Sequence, residues 1–261
     1  MIDGFSFKDV YGIGDLLQIM QCLRSEGGCP WDREQTHESI KKNLIEETYE
    51  VIEAINQQDK ALLCEELGDV LMQVVFHAQM EAEEGSFTFE NVADGVCKKL
   101  IERHPHVFGE VEVTGSEEVL RNWDDIKKRS KGQTSQTETM LSVPRELPAL
   151  MRATKVQKKA AKVGFDWPDI SGAVDKLYEE TSELSGAIES GSEEEIAEEL
   201  GDLLFSAVNV SRFVGCDAEE ALTAATDKFM RRFACVEEKA RERGLKLEEL
   251  SLSELDALWD E

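Results

Sequence analysis

The sequence predicts an all-α protein made of two tandem helical bundles. Three observations carry this: a duplicated acidic segment, helix-period spacing of apolar residues, and a long stretch without proline. Residues 46–75, EETYEVIEAINQQDKALLCEELGDVLMQVV, align without a gap on residues 179–208, EETSELSGAIESGSEEEIAEELGDLLFSAV, at a constant offset of 133. Thirteen of the 30 positions are identical, EELGD among them. One repeat per half-chain marks two domains, because solenoid repeats recur every ~20–50 residues.

Taken in order, the first half places Leu44, Ile45, Ile52 and Ile55 at near-helical spacing, and then Leu63, Leu67, Val70, Leu71, Val74 and Val75. No proline interrupts residues 31–104, and strong helix formers dominate there. Asn56-Gln57-Gln58-Asp59 marks the turn between two paired helices, and Ser190-Gly191-Ser192 does the same in the second copy. Between the halves, SKGQTSQTET (130–139) has no apolar residue and reads as a flexible linker. Pro144 and Pro148 then punctuate the entry to the second half. The expected boundaries are 1–129 for the first domain, 130–140 for the polar linker and 141–261 for the second domain.

Composition narrows the function. The formal net charge of −26 repels nucleic-acid backbones and anionic membranes, so direct nucleic-acid binding is not expected. No apolar run approaches the ~18 residues of a membrane span. Met1-Ile2-Asp3-Gly4 lacks the basic and apolar pattern of a signal peptide. Six cysteines without a CxxC pair fit reduced thiols, hence a cytoplasmic protein.

Each repeat carries E-E-x-x-E followed by E-x-x-D. Residues three apart share a helix face, so Glu47 projects with Glu50, and Glu66 with Asp69. Antiparallel pairing would bring four carboxylates together, an arrangement that cations must neutralise. Ligands that are all oxygen suit Mg²⁺, or Mn²⁺ in its place, better than zinc. Gly68 and Gly201 fall inside helices, where glycine costs roughly 1 kcal/mol, which suggests close backbone approach or room for a ligand.

With these motifs stand CPWDREQTHESI (29–40), RHPHVFGEV (103–111), LPALMRATKVQKKAAKVGFDW (147–167) and DKFMRRF (227–233). Together they resemble the tandem form of the MazG family over nearly the whole chain. That family is similar in chemistry to other all-α pyrophosphohydrolases, including dimeric dUTPases and phosphoribosyl-ATP pyrophosphohydrolases. The resemblance implies Mg²⁺-dependent hydrolysis of nucleoside triphosphates such as ATP to monophosphate and pyrophosphate, in nucleotide-pool housekeeping, by a homodimer. It makes Glu180, Glu183, Glu199 and Asp202 the metal ligands of the second domain. It makes Lys228 and Arg232 phosphate contacts, sets Trp259 near the nucleotide, and matches Lys127 to a further nucleotide-binding lysine. In the first domain the ligands would be Glu47, Glu50, Glu66 and Asp69. A triphosphate is itself a polyanion, so a chain this acidic needs divalent cations to hold one.

The copies differ at one telling place. Lys228 aligns with Gly95, while Arg231 and Arg232 align with Lys98 and Lys99. The second domain is therefore expected to be the principal hydrolytic site. There Lys228 and Arg232, one turn apart, would stabilise charge on the departing pyrophosphate, and Glu179 or Glu198 is the candidate general base. His104 and His106 are expected to be structural or phosphate-adjacent, His37 and His77 to be lone satisfied histidines, and Trp31, Trp123 and Trp167 to be core or domain-edge anchors. Two other classes compete. A di-iron bundle requires Glu-x-x-His pairs, absent from the acidic motifs. An acidic metal-binding dimerisation or regulatory module without turnover would explain the helices and the charge, but not the repeated EELGD.

Overall fold

The computed structural model describes residues 5–261, with only the backbone of Arg121. The amino-terminal Met1–Gly4, read above for a signal peptide, lies outside the described residues. All regular structure among the described residues is helical: α1 (Ile13–Arg24), α2 (Pro30–Glu34), α3 (His37–Gln57), α4 (Lys60–Glu83), α5 (Phe89–Arg103), α6 (Pro105–Phe108), α7 (Ser116–Ser130), α8 (Gln136–Leu141), α9 (Ala149–Ala161), α10 (Ile170–Ser190), α11 (Glu193–Phe213), α12 (Ala218–Glu242), a 3-10 turn (Leu247–Glu249) and α13 (Leu252–Asp260). The chain divides into two compact units, residues 1–127 and 128–261.

The first unit is organised by the α3–α4 hairpin, against which α1 and α5 pack through α4. Thr36 caps α3 by accepting from the Ser39 amide. Asp59 caps α4, accepting from the amides of Ala61 and Leu62. Between the helices Gln58 adopts the left-handed conformation, φ 57°, and so turns the chain back in two residues. Met20, Ile40, Val75, Phe76 and Met80 form the core, joined by Leu16, Leu17, Met72 and Phe89. Beside it Arg24 ion-pairs with Glu83 at 2.8 Å while donating to the Gln35 carbonyl.

The second unit repeats this plan. Its α10–α11 hairpin turns at Gly191, φ 77°, and Ser192 caps α11 through the Glu195 amide. Gln58 and Asp59 of the first copy stand 133 residues before Gly191 and Ser192, so the duplication extends to the caps. Helix α9 packs on α11, and α12 packs on α13 around Val236, Ala240 and Leu258.

The polar run at 130–140 is not extended throughout. Ser135 accepts from the Glu138 amide in a capping box and starts α8, which packs on α9 with Thr139 buried. A capping-box sequence nucleates a helix turn even where apolar residues are missing.

Candidate metal centres

The two hairpins each assemble a carboxylate cluster. Oxygens of Glu47, Glu66 and Asp69 lie within 4.8 Å of one another, and so do those of Glu180, Glu199 and Asp202. One glutamate comes from the first helix of the hairpin and an ExxD pair from the second. The donors are all hard oxygens, which fits a hard divalent cation. Glu50 and Glu183 stand at the margin of each cluster. The charge of Glu50 acts on Glu47 and Glu66, and that of Glu183 is the foremost charge acting on Glu199.

Crowding shows in the protonation energetics. Desolvation, then the charges of Asp69 and Glu50, pushes the Glu47 carboxyl above its usual range. Desolvation, then Glu50 and Asp69, does the same to Glu66. In the second unit desolvation, followed by Glu183, Glu180 and Asp202, raises Glu199. Each cluster resists full ionisation unless a cation enters.

The units compensate this charge differently. Glu180 is 4% exposed, and Lys176 reaches it at 2.7 Å while also holding Glu179 at 2.8 Å. The corresponding first-unit position is Asn43, and there the buried Gln73 donates to Glu47 at 3.4 Å. Sequence reading missed both partners. Lys176 was findable, since it precedes Glu180 by one helical turn. Gln73 gave no signal beyond its place three residues after the repeated EELGD and Val70.

The remaining candidates lie in other settings. Lys228 is exposed. The Arg232 guanidinium sits 4.1 Å from the Trp259 ring centroid and donates to the Trp259 carbonyl at 3.0 Å, with Phe229 packed on the same indole. Among the described residues neither Lys228 nor Arg232 hydrogen-bonds to a cluster carboxylate. Lys127 is exposed on α7 in the first unit, and Glu198 is exposed on α11. A Cβ built on Gly68 or Gly201 meets nothing within 4 Å, so close backbone approach does not explain these glycines. Gly201 borders an open cleft of about 430 Å³ with Arg145, Arg152 and Phe205.

The lone-histidine expectation is corrected. His37 and His77 are hydrogen-bonded to each other through their Nδ1 atoms at 2.7 Å, and His37 Nε2 meets Glu81 at 2.8 Å. Burial, with help from His37, lowers the pKa of His77. His104 and His106 flank Pro105 at the start of the short α6, with His104 edge-on to Trp123. Trp31 and Trp167 are not core residues, being 57% and 45% exposed.

Comparison with known proteins agrees with this architecture. The family model described as the MazG nucleotide pyrophosphohydrolase domain matches twice, at residues 35–108 and 171–236. Each match spans one carboxylate hairpin. The chain is 48% identical over 246 residues to a Thermotoga maritima protein named nucleoside triphosphate pyrophosphohydrolase/pyrophosphatase MazG, covering 94% of this chain and 93% of that one. It is 46% identical over 252 residues to the Escherichia coli K12 nucleoside triphosphate pyrophosphohydrolase, covering 95% and 96%. It is also 50% identical over 244 residues to Bacillus subtilis YabN, an uncharacterised protein of which the match covers half.

Proposed function

The chain belongs to the MazG nucleotide pyrophosphohydrolase family and is an enzyme of that family, and we propose that it splits nucleoside triphosphates, ATP among them, into monophosphate and pyrophosphate with Mg²⁺. The observation that carries this reading is the recurrence of one oxygen-only carboxylate triad in both matched segments. Glu180, Glu183, Glu199 and Asp202 would hold Mg²⁺, or Mn²⁺ in its place, in the second unit. Glu47, Glu50, Glu66 and Asp69 would do so in the first. When bound, the metal supplies positive charge to the phosphate oxygens and polarises the attacking water.

The chain's own side chains supply the rest. Glu179 or Glu198 accepts the proton of the water that attacks the α-phosphorus. The α–β bridging oxygen then leaves with the pyrophosphate, toward the cations Lys228 and Arg232. Trp259 contributes a nucleotide contact. The second unit is the principal site: it alone has Lys176 beside its triad and Lys228 on α12, where the first has Asn43 and Gly95.

A homodimer accounts for apolar side chains left bare on both hairpins, among them Ile45, Tyr49 and Leu67 in the first and Tyr178, Ile188 and Leu200 in the second. No described helix is long and apolar enough to cross a membrane, and a cytoplasmic setting in nucleotide-pool housekeeping suits six free cysteines. The decisive experiment is product analysis on a panel of nucleoside triphosphates with Mg²⁺, with EDTA, and with Glu183→Ala. Monophosphate and pyrophosphate, lost with the chelator and with the substitution, are expected. Turnover that survives both, or no turnover of any nucleotide, sinks the reading, the latter in favour of an acidic metal-binding or regulatory module.

A further inference from the structure

The first unit holds a second group of titratable side chains, apart from its carboxylate cluster. His37 is the first residue of α3, directly after the Thr36 cap, and His77 lies within α4. His77 follows Asp69 by eight residues, about 12 Å along the helix. The two Nδ1 atoms are 2.7 Å apart, and His37 Nε2 is 2.8 Å from a Glu81 carboxylate oxygen. No role assigned above uses any of the three.

The ring centroids are 5.0 Å apart and the ring planes differ by 4°. That separation equals the 2.7 Å between the nitrogens plus one ring radius on either side. The imidazoles therefore lie end to end in a common plane, not face to face. An N–H and a ring-nitrogen lone pair both lie in the plane of the ring, so the line between the Nδ1 atoms is a well-aligned hydrogen bond. It has room for one proton.

The partners decide where the hydrogens sit. An ionised carboxylate only accepts, so His37 Nε2 carries the hydrogen donated to Glu81. With His37 neutral, its Nδ1 is an acceptor, and His77 donates Nδ1–H to it. One added proton goes to His77 Nε2 and leaves both bonds intact. A further proton puts an N–H on each Nδ1. Two imidazolium cations then face one another with no acceptor between them. Burial, and then the charge of His37, already lowers the pKa of His77 from 6.5. With the folded value below the unfolded one, this contact contributes fully above 6.5 and is lost as pH falls through the folded value.

The contact fastens a joint. Ile40, within the first turn of α3, and Phe76 and Met80, which flank His77 on α4, belong to the core of the unit. The α2–α3 junction is tied to α4 a second time through Arg24 of α1, which donates to the Gln35 carbonyl at 3.3 Å and ion-pairs with Glu83 at 2.8 Å. That tie does not respond to mild acid. Arginine keeps its charge, and hydrogen bonds from Arg24 and Gln79 outweigh burial to hold Glu83 below its usual 4.5. The other charged groups around the joint make different bonds. On α3 Glu38 pairs with Lys41. On α2 Asp32 lends its carbonyl to Arg24, and Arg33 donates to the Glu26 carbonyl. On α5 Glu90 accepts from Thr88. Among the described residues only Glu81 bonds to the histidine pair.

We propose that His37 and His77 form a proton-operated latch: one shared proton docks the first turn of α3 on α4, and a second, taken up in mild acid, releases it. Release leaves the junction held by Arg24 alone and loosens the packing of Ile40 on Phe76 and Met80.

The test compares the full chain with His37→Phe/His77→Phe, which keeps two flat rings but has no proton to share, both in EDTA. The acidic clusters are common to the two proteins, so the difference in melting temperature isolates the pair. Wild type is expected to lose a few degrees relative to the variant between about pH 7.5 and 5.5. Nitrogen-15 NMR of the histidines reads the hydrogens directly. Near neutrality it should find His77 protonated at Nδ1 and His37 at Nε2, and on acidification two separate protonation steps. The second step should coincide with faster exchange of the Ile40 amide, which bonds to the Thr36 carbonyl at 3.2 Å. A melting difference that does not change with pH, an Nε2–H tautomer on both rings, or independent single-step titration of the two histidines overturns the latch. If the double variant does not fold, the wild-type titration and Ile40 exchange decide alone.

Discussion

The ammonium of Lys176 lies 2.7 Å from a carboxylate oxygen of Glu180, one turn further along α10, and 2.8 Å from Glu179. It is the cation already in place beside the second acidic cluster. Hydrogen bonds to Glu179 and then Glu180 raise its pKa above the usual lysine value of 10.5. A raised folded pKa means that the stabilisation is complete below the unfolded value and is lost only as pH rises through the folded one. The lysine end of the pair is thus charged at neutral pH and is lost only in strong alkali. Lys176→Met should lower the melting temperature in EDTA and enlarge the upward shift on adding Mg²⁺, as thermal melts in both buffers would reveal. A Mg²⁺ shift equal to wild type would show that Lys176 does not compensate the cluster.

The acidic clusters set a second pH dependence. Glu47, Glu66 and Glu199 all titrate above 4.5 in the folded chain. Such groups stabilise most when protonated, and their contribution disappears as pH rises through the raised values. Carboxyls lowered by hydrogen bonds, such as Asp15 to Lys8, Glu138 to the Thr134 amide and Asp169 to Ser171, act oppositely, losing stability as pH falls below their unfolded values. Metal-free protein should therefore be most stable in mild acid, above the range in which the lowered carboxyls protonate. Mg²⁺ should move the optimum toward neutrality, measured as melting temperature against pH with and without EDTA. An optimum that Mg²⁺ does not move would contradict this.

Inequality between the units is testable with matched substitutions. Glu199→Gln should cut pyrophosphate release by about a hundredfold or more, the scale on which oxyanion-stabilising groups act. Glu66→Gln, at the matching first-unit position, should leave most of the turnover. Equal losses would mean that both sites carry the reaction.

The hairpin turns differ by one residue type at one conformation. Gln58 has φ 57° where Gly191 has φ 77°. A side chain there costs on the order of 1 kcal/mol relative to glycine, partly offset by glycine's larger unfolded-state entropy. Gln58→Gly should stabilise the first unit by a few tenths to about 1 kcal/mol, and Gly191→Ala should destabilise the second by a similar amount. Urea titrations resolve both, and opposite signs would show that the caps, not the turn residue, hold the reversal.

Gly172 makes room for the Trp167 ring. Since a Cβ there falls 2.7 Å from the Trp167 ring, Gly172→Ala should displace the indole. Helix content by circular dichroism should hold while tryptophan emission shifts. An unchanged emission spectrum would mean that the ring finds room elsewhere.

The sequence disclosed what is local and periodic. The acidic residues sit at helix spacing, and their ungapped repetition separates a hairpin from chance acidity, so Glu47, Glu66, Asp69 and their counterparts were legible from spacing alone. What stayed hidden depends on helices distant in sequence coming together. Gln157 meets the carbonyl of Phe205, 48 residues away, and His37 meets His77 across 40. No spacing rule signals such pairs. Trp167, 45% exposed with its ring against Gly172, excludes the core setting of the two expected for it, and that distinction too depends on packing rather than on spacing. The polar run leading into α8 misled because composition says little once Ser135 and Glu138 form a capping box.

The two hairpins share the register of their caps and a two-residue reversal, so each presents its acidic motifs from the same places along the turn. Grafting residues 179–208 in place of 46–75 keeps the acidic positions of both motifs, the left-handed turn and the helix register, while Glu53 and Asp59 give way to Gly186 and Ser192. What distinguishes one copy's chemistry from the other's is written in few side chains, within the hairpin at Gln73 against Ser206 and on the frame at Asn43 against Lys176.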